Sequence, residues 1–203
     1  MPIGAAILLL FATQAPLWAG SPERISREGK RLAAVLSGMD VEGRWLPGNP
    51  VDWRTGAYDP TAIALRSHCS AFVAAVCERF AVYILRPPDH PEILLSNAQC
   101  QWLESEGEEH GWEPVAAAQR AQHLANRGYL VVACYENPDA ESSGHIAVIR
   151  PSTKSRALIA AEGPDVIQAG SANRAQTTVA HAFRLHTGAF DHGRIRYYAH
   201  STD

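Results

Sequence analysis

The stretch Gly128-Tyr129-Leu130-Val131-Val132-Ala133-Cys134-Tyr135 decides the fold class. Upstream, apolar residues recur at helical spacing. Here a glycine stops an Ala- and Gln-rich segment, and an unbroken run of apolar and β-branched residues follows. That run is too short for a buried helix and is expected to be a strand over Tyr129–Tyr135. Further apolar runs predict strands over His145–Arg150, Ala157–Ala161, Val166–Ala169, Thr177–Phe183 and Arg194–Ala199. Before the break, helices are expected over Glu23–Ser37 (stopped by Gly38), after Cys69, over Pro91–Leu103 and over Pro114–Arg127. Helices first and strands second predict an α+β fold, with the N-terminal helices packed on an antiparallel sheet.

Two short segments carry the chemistry. Ser67-His68-Cys69-Ser70-Ala71-Phe72-Val73 puts a cysteine at the start of a helical pattern, because Phe72, Val73, Val76, Phe80 and Val82 follow at helical spacing. Ser67 or His68 then falls at the N-cap, with Cys69 in the first turn. The unpaired N–H groups and partial positive charge of a helix start favour an anion, which lowers a thiol toward its nucleophilic thiolate form. The second segment, Gly144-His145-Ile146-Ala147-Val148-Ile149, places a histidine at the mouth of a buried strand, behind a glycine that permits close approach. A nucleophile and a base brought together there make a cysteine–histidine pair.

The 203 residues supply one compact domain, expected over 21–203. Net charge −3 with Lys and Arg scattered leaves no basic stripe, which excludes nucleic acid as the expected partner. Residues 1–20 form an apolar segment short for a membrane span, with Leu17-Trp18-Ala19 placed where a signal cleavage would fall. The expectation is a secreted or periplasmic protein with no stable membrane span in its mature form. With Cys69 as nucleophile, Cys77, Cys100 and Cys134 permit at most one disulfide, and Cys77 and Cys134 are read as buried thiols. Asp40 to Asp59 reads as a long ordered loop. The acidic run between Leu103 and Trp112 reads as a solvated one.

His68-Cys69-Ser70-Ala71-Phe72-Val73 resembles the Asp-Cys-Ser-Gly-Phe-Val motif of the NlpC/P60 family of cell-wall cysteine peptidases. Gly144-His145-Ile146-Ala147-Val148-Ile149 resembles the same family's Gly-His-Val-Gly-Ile-Val strand. Asn126 to Ala133 is similar to the strand that precedes the histidine in that family and in the related CHAP amidases. The likeness spans roughly Tyr58 to Phe183. It implies a papain-like fold in miniature and a cofactor-independent hydrolase whose Cys69 attacks a peptide or amide bond of peptidoglycan stem peptides, with His145 as base and then acid. The family's third residue orients the histidine from the next strand. Val166-Ile167-Gln168-Ala169-Gly170 occupies that place, so the resemblance assigns the role to Gln168, with Asn173 and Glu162 as fallbacks. The implied oxyanion donors are the Cys69 N–H and Tyr58, which lies eleven residues before Cys69 where the family carries a tyrosine about twelve before its nucleophile, and His68 and Ser70 flank the nucleophile as substrate-site candidates. His68 in place of Asp and Ala71 in place of Gly depart from the family pattern.

Two other readings stand beside this one. His181, His186, His192 and His200 with Asp191 crowd the C-terminus, but their spacing fits no zinc-ligand motif, so no metal or cofactor is expected. A catalytically decayed peptidase scaffold that binds cell-wall material is the alternative function.

Overall fold

A computed structural model describes residues 24–202. The expected N-terminal apolar or signal segment therefore lies outside the described residues. The order of elements is α1 (Arg27–Gly38), α2 (Cys69–Arg79), α3 (Leu95–Ser105), β1 (Glu113–Val115), α4 (Ala118–Asn126), β2 (Leu130–Tyr135), β3 (His145–Ile149), α5 (Arg156–Glu162), β4 (Asp165–Gln168), β5 (Arg174–Thr178), α6 (Val179–Ala182) and β6 (Arg196–His200). The fold is α+β.

The sheet runs β1-β6-β2-β3-β4-β5, with every pair antiparallel. Its central strands β2 and β3 are buried at every position, so alternate residues serve two cores. Leu130, Val132, Cys134, Ile146 and Val148 face α1, α2 and α3. Val131, Ala133, Ala147 and Ile149 face α4 and α6. Helix α4 thus covers the opposite face from the first three helices, and the sheet is packed on both sides. Each fully buried Val, Leu or Ile contributes roughly 1.5–3 kcal/mol, so the two central strands are rigid supports.

The central helix of the α1–α3 layer is α2, whose residues Cys69 to Cys77 are all buried. The long loop at 40–59 packs against it. Trp45 is 1 % exposed, meets Phe72 edge-on at 5.2 Å, and donates its indole N–H to the Trp53 carbonyl at 3.0 Å. Gly56 is needed there, because a Cβ would lie 2.3 Å from the Trp45 ring.

Several expected elements differ. Ala157–Ala161 lies in α5, not a strand: Ser155 Oγ accepts the Leu158 N–H at 3.3 Å, and the alanine-rich run that follows favours a helix. Thr177–Phe183 divides at Thr178, which ends β5 and caps α6 by accepting the His181 N–H at 3.2 Å. The segment from Pro114 opens with the short edge strand β1, where a proline costs no ladder bond on its free side, before α4 starts. Leu94, at φ 56°, delays α3 to Leu95. The acidic run is partly helical: α3 reaches Ser105 and a 3-10 turn covers Gly107–His110, with all four glutamates exposed. Cys134 is not a free thiol. It is bonded to Cys100 and ties α3 to β2, whereas Cys77 is buried and free.

Candidate active site

Cys69 is the first residue of α2 and is 6 % exposed. His68 is the N-cap but makes no capping bond with its side chain, so the first-turn N–H groups are not closed off by it. Phe72 is the first to return to the helix, donating to the His68 carbonyl at 2.9 Å. A positive helix end is therefore presented where the sulfur sits.

His145 opens β3, in register with Tyr135 of β2. Gly144 before it is fixed by crowding: a Cβ would lie 2.0 Å from the Tyr135 carbonyl oxygen and 2.5 Å from Asn97 Oδ1. Asn97 on α3 accepts the Gly144 N–H at 2.8 Å and the Asn137 N–H at 3.0 Å, and donates to the Ser142 carbonyl at 2.9 Å. One buried amide thus clamps the turn that delivers His145.

The β3–β4 register pairs Val148 with Ile167 and Ile149 with Val166. Continued toward the start of β3, it sets Gln168 opposite Ala147, a diagonal neighbour of His145 on the same face. The contact is made: His145 Nε2 lies 2.6 Å from Gln168 Oε1. The Gln168 amide nitrogen donates to the Ala172 carbonyl at 3.1 Å, so its oxygen faces the ring and Nε2 carries a proton. The other ring nitrogen, Nδ1, is left free to face Cys69, the group with which His145 interacts most strongly by charge.

Burial pushes the Cys69 thiol up. The His145 charge and hydrogen bond, the Ser67 hydroxyl and the Ile146 backbone N–H outweigh it and lower the thiol from 9.0 to about 7. Burial pushes His145 down, but the Cys69 charge and hydrogen bond, with Gln168, raise it above its ordinary 6.5. The two shifts favour the same species, a thiolate facing an imidazolium.

Two depressions flank the pair. One, about 390 Å³, is lined by Cys69, Ser70, Glu92, Leu94 and Ser143 among others. The other, about 220 Å³, is lined by His145, Gln168, Arg184 and His186. Both share Arg66, Ser67, Ser143 and Gly144, so they adjoin as one groove, lined by Cys69 on one side and His145 on the other.

Ser70, a flanking candidate, lies on that groove. Tyr58 does not: it is 69 % exposed and lines a separate depression with Asp40 and Leu46, because its backbone bridges Val51 in the long loop. His68 turns inward. Its Nε2 lies 2.9 Å from the Asn49 carbonyl and its Nδ1 3.8 Å from Glu92 Oε2, so it fastens the long loop to α2. Asn173 donates to the Val41, Arg44 and Trp45 carbonyls, and Glu162 pairs with Lys154 at 2.9 Å; neither reaches His145. Among the described residues, no group of three His, Cys, Asp or Glu side chains is placed to hold a metal ion. Nor is any described helix long and apolar enough to cross a membrane.

Sequence reasoning passed over Ser67, Asn97, Phe183 and His186 as site residues. Ser67 stood inside the quoted cysteine segment, two residues before the nucleophile. The other three are brought in by tertiary contacts with no local pattern.

No family model matches the chain, and no curated protein matches it.

Proposed function

We propose that this chain is a cysteine hydrolase of the NlpC/P60-like, papain-like type, exported and acting on peptide or amide bonds of peptidoglycan stem peptides. The observation that carries the reading is the continuous relay from Gln168 through His145 to Cys69 at the uncapped start of α2. The cysteine and histidine segments supply the family likeness and, with it, the cell-wall substrate class. The disulfide between α3 and β2 supports an oxidising, extracytoplasmic setting.

The proposed chemistry uses this geometry. The Cys69 thiolate attacks the carbonyl carbon, and the carbonyl electron pair moves to an oxyanion met by first-turn N–H groups of α2. As the carbon–nitrogen bond breaks, the imidazolium gives its Nδ1 proton to the departing amine and leaves an acyl-enzyme. Neutral His145 then takes a proton from water, whose oxygen attacks the thioester carbonyl, and the carboxylic product leaves with the thiolate restored. Gln168 holds Nε2–H throughout, so one tautomer serves both halves. A neutral amide stabilises the imidazolium less than a carboxylate does, so the mutual attraction with Cys69 carries most of the charge separation.

The test is mass spectrometry of purified peptidoglycan fragments incubated with wild type and with Cys69→Ala. Cleavage by wild type alone supports the reading. Equal cleavage by both, or none by either, overturns it. Retention of the fragments by both forms without cleavage favours the binding-module alternative.

A further inference from the structure

We propose that His186 is a positioning residue for the Cys69–His145 pair: its ring stacks on the His145 imidazole and holds it in the orientation that reaches Cys69 and Gln168 together. This rests on the reading of Cys69 and His145 as nucleophile and base.

An imidazole turns easily about the bond to its Cβ, since that torsion is broad and roughly two-fold. Reaching two partners through opposite ring nitrogens requires the ring plane to be fixed. Two rings from one segment fix it. Phe183 meets His145 edge-on at 4.8 Å with planes 68° apart, and His186 lies nearly parallel at 6.0 Å with planes 19° apart. The chain turns between them, His186 N–H donating to the Phe183 carbonyl at 2.9 Å, which brings both side chains to bear on His145. Behind His186 stands Tyr135, at 5.1 Å, the residue paired with His145 across β2 and β3. The three rings form a layer whose two ends belong to adjacent central strands.

The charge around His186 suits this role. The ionisable groups that face it are His145 on β3 and Tyr135 on β2, and Arg66 and Arg184 line the same depression, with Cys69 beyond His145. No Asp or Glu lines that depression. Burial and the His145 charge lower His186 to about 4, so above that pH a neutral ring face lies against the imidazolium. Such a face attracts a cation, whereas a second protonated ring would repel it.

The experiment follows Cys69 alkylation by iodoacetamide against pH, read by peptide mass spectrometry on the full chain, for wild type, His186→Phe and His186→Leu. Phenylalanine keeps a flat ring face; leucine fills the space without one. The expected result is a His186→Phe rate at pH 7 within about twofold of wild type, and a His186→Leu rate about fivefold slower, the loss of one aromatic contact. In His186→Leu the pH of half-maximal rate moves upward. Equal profiles for wild type and His186→Leu would overturn the role, as would a His186→Phe rate as slow as His186→Leu. The wild-type profile tests the pair by itself: half-maximal alkylation near an unperturbed thiol value refutes the nucleophile–base reading and this one with it. A wild-type profile shifted to neutral pH without any peptidoglycan cleavage refutes only the substrate.

Discussion

Gln168 presents its amide oxygen 2.6 Å from His145 Nε2 while its amide nitrogen donates to the Ala172 carbonyl at 3.1 Å. The second bond fixes which end of the amide faces the ring, and so fixes the tautomer of the imidazole. In the proposed mechanism an uncharged residue therefore does the orienting that a carboxylate does in a Ser-His-Asp triad. Gln168→Leu is expected to lower kcat by about ten- to a hundredfold, the rate equivalent of one hydrogen bond to a charged group. Gln168→Glu should retain more activity than Gln168→Leu and shift His145 further upward. Steady-state kinetics on a stem-peptide fragment checks both.

The pH dependence follows from the two opposed shifts. Cys69 is lowered to about 7, so the reactive thiolate is lost as pH falls through that value. His145 is raised above 6.5, so the imidazolium proton needed by the leaving amine is lost only as pH rises beyond its elevated value. The predicted profile of kcat/KM is a bell with its acid limb near pH 7. In His145→Ala the attraction disappears while burial, the Ser67 hydroxyl and the Ile146 N–H remain, so the pH of half-maximal Cys69 alkylation should move upward from about 7.

Gly144→Ala tests how tightly the base is delivered. The added Cβ meets the Tyr135 carbonyl oxygen at 2.0 Å, and backbone cannot yield as a flexible side chain does. The expected cost is about 1–3 kcal/mol in urea unfolding, with kcat reduced in the folded fraction because His145 is displaced. Asn97→Ala should act in the same direction, since the Gly144 and Asn137 N–H groups both lose their acceptor.

Removing the disulfide tests structure apart from chemistry. Cys100 and Cys134 close a loop of sequence separation 34, for which chain entropy gives about 4 kcal/mol at 25 °C. The Cys100→Ala, Cys134→Ala double variant should lose stability on that scale by denaturant titration. Below its unfolding transition its Cys69 alkylation profile should match wild type.

The sequence showed the ends of this site better than its surroundings. Cys69, His145 and Gln168 each sit at the start or end of an element whose apolar pattern is clear, and the fold brings those three ends together. The α+β class was legible for the same reason, from the change of period at Gly128. The missed pieces were decided by contacts between distant segments. Ala157–Ala161 and the residues after Thr178 are short apolar runs in which strand and helix have the same local appearance, and the caps at Ser155 and Thr178 settle them. Tyr58 could be counted to the right distance from Cys69 along the chain, but the loop that carries it folds back on Val51 and turns its ring to solvent. In the sequence His186 is one of several C-terminal histidines, and only the fold sets its ring between those of His145 and Tyr135.

The central proposal is that Cys69 opens an amide bond of the cell wall. Digestion of purified stem-peptide fragments in ¹⁸O-water, followed by mass spectrometry, measures this directly. The prediction is new fragments from wild type, each newly formed carboxylate carrying solvent ¹⁸O, and none from Cys69→Ala. Intact fragments with wild type, or the same products from Cys69→Ala, would contradict it.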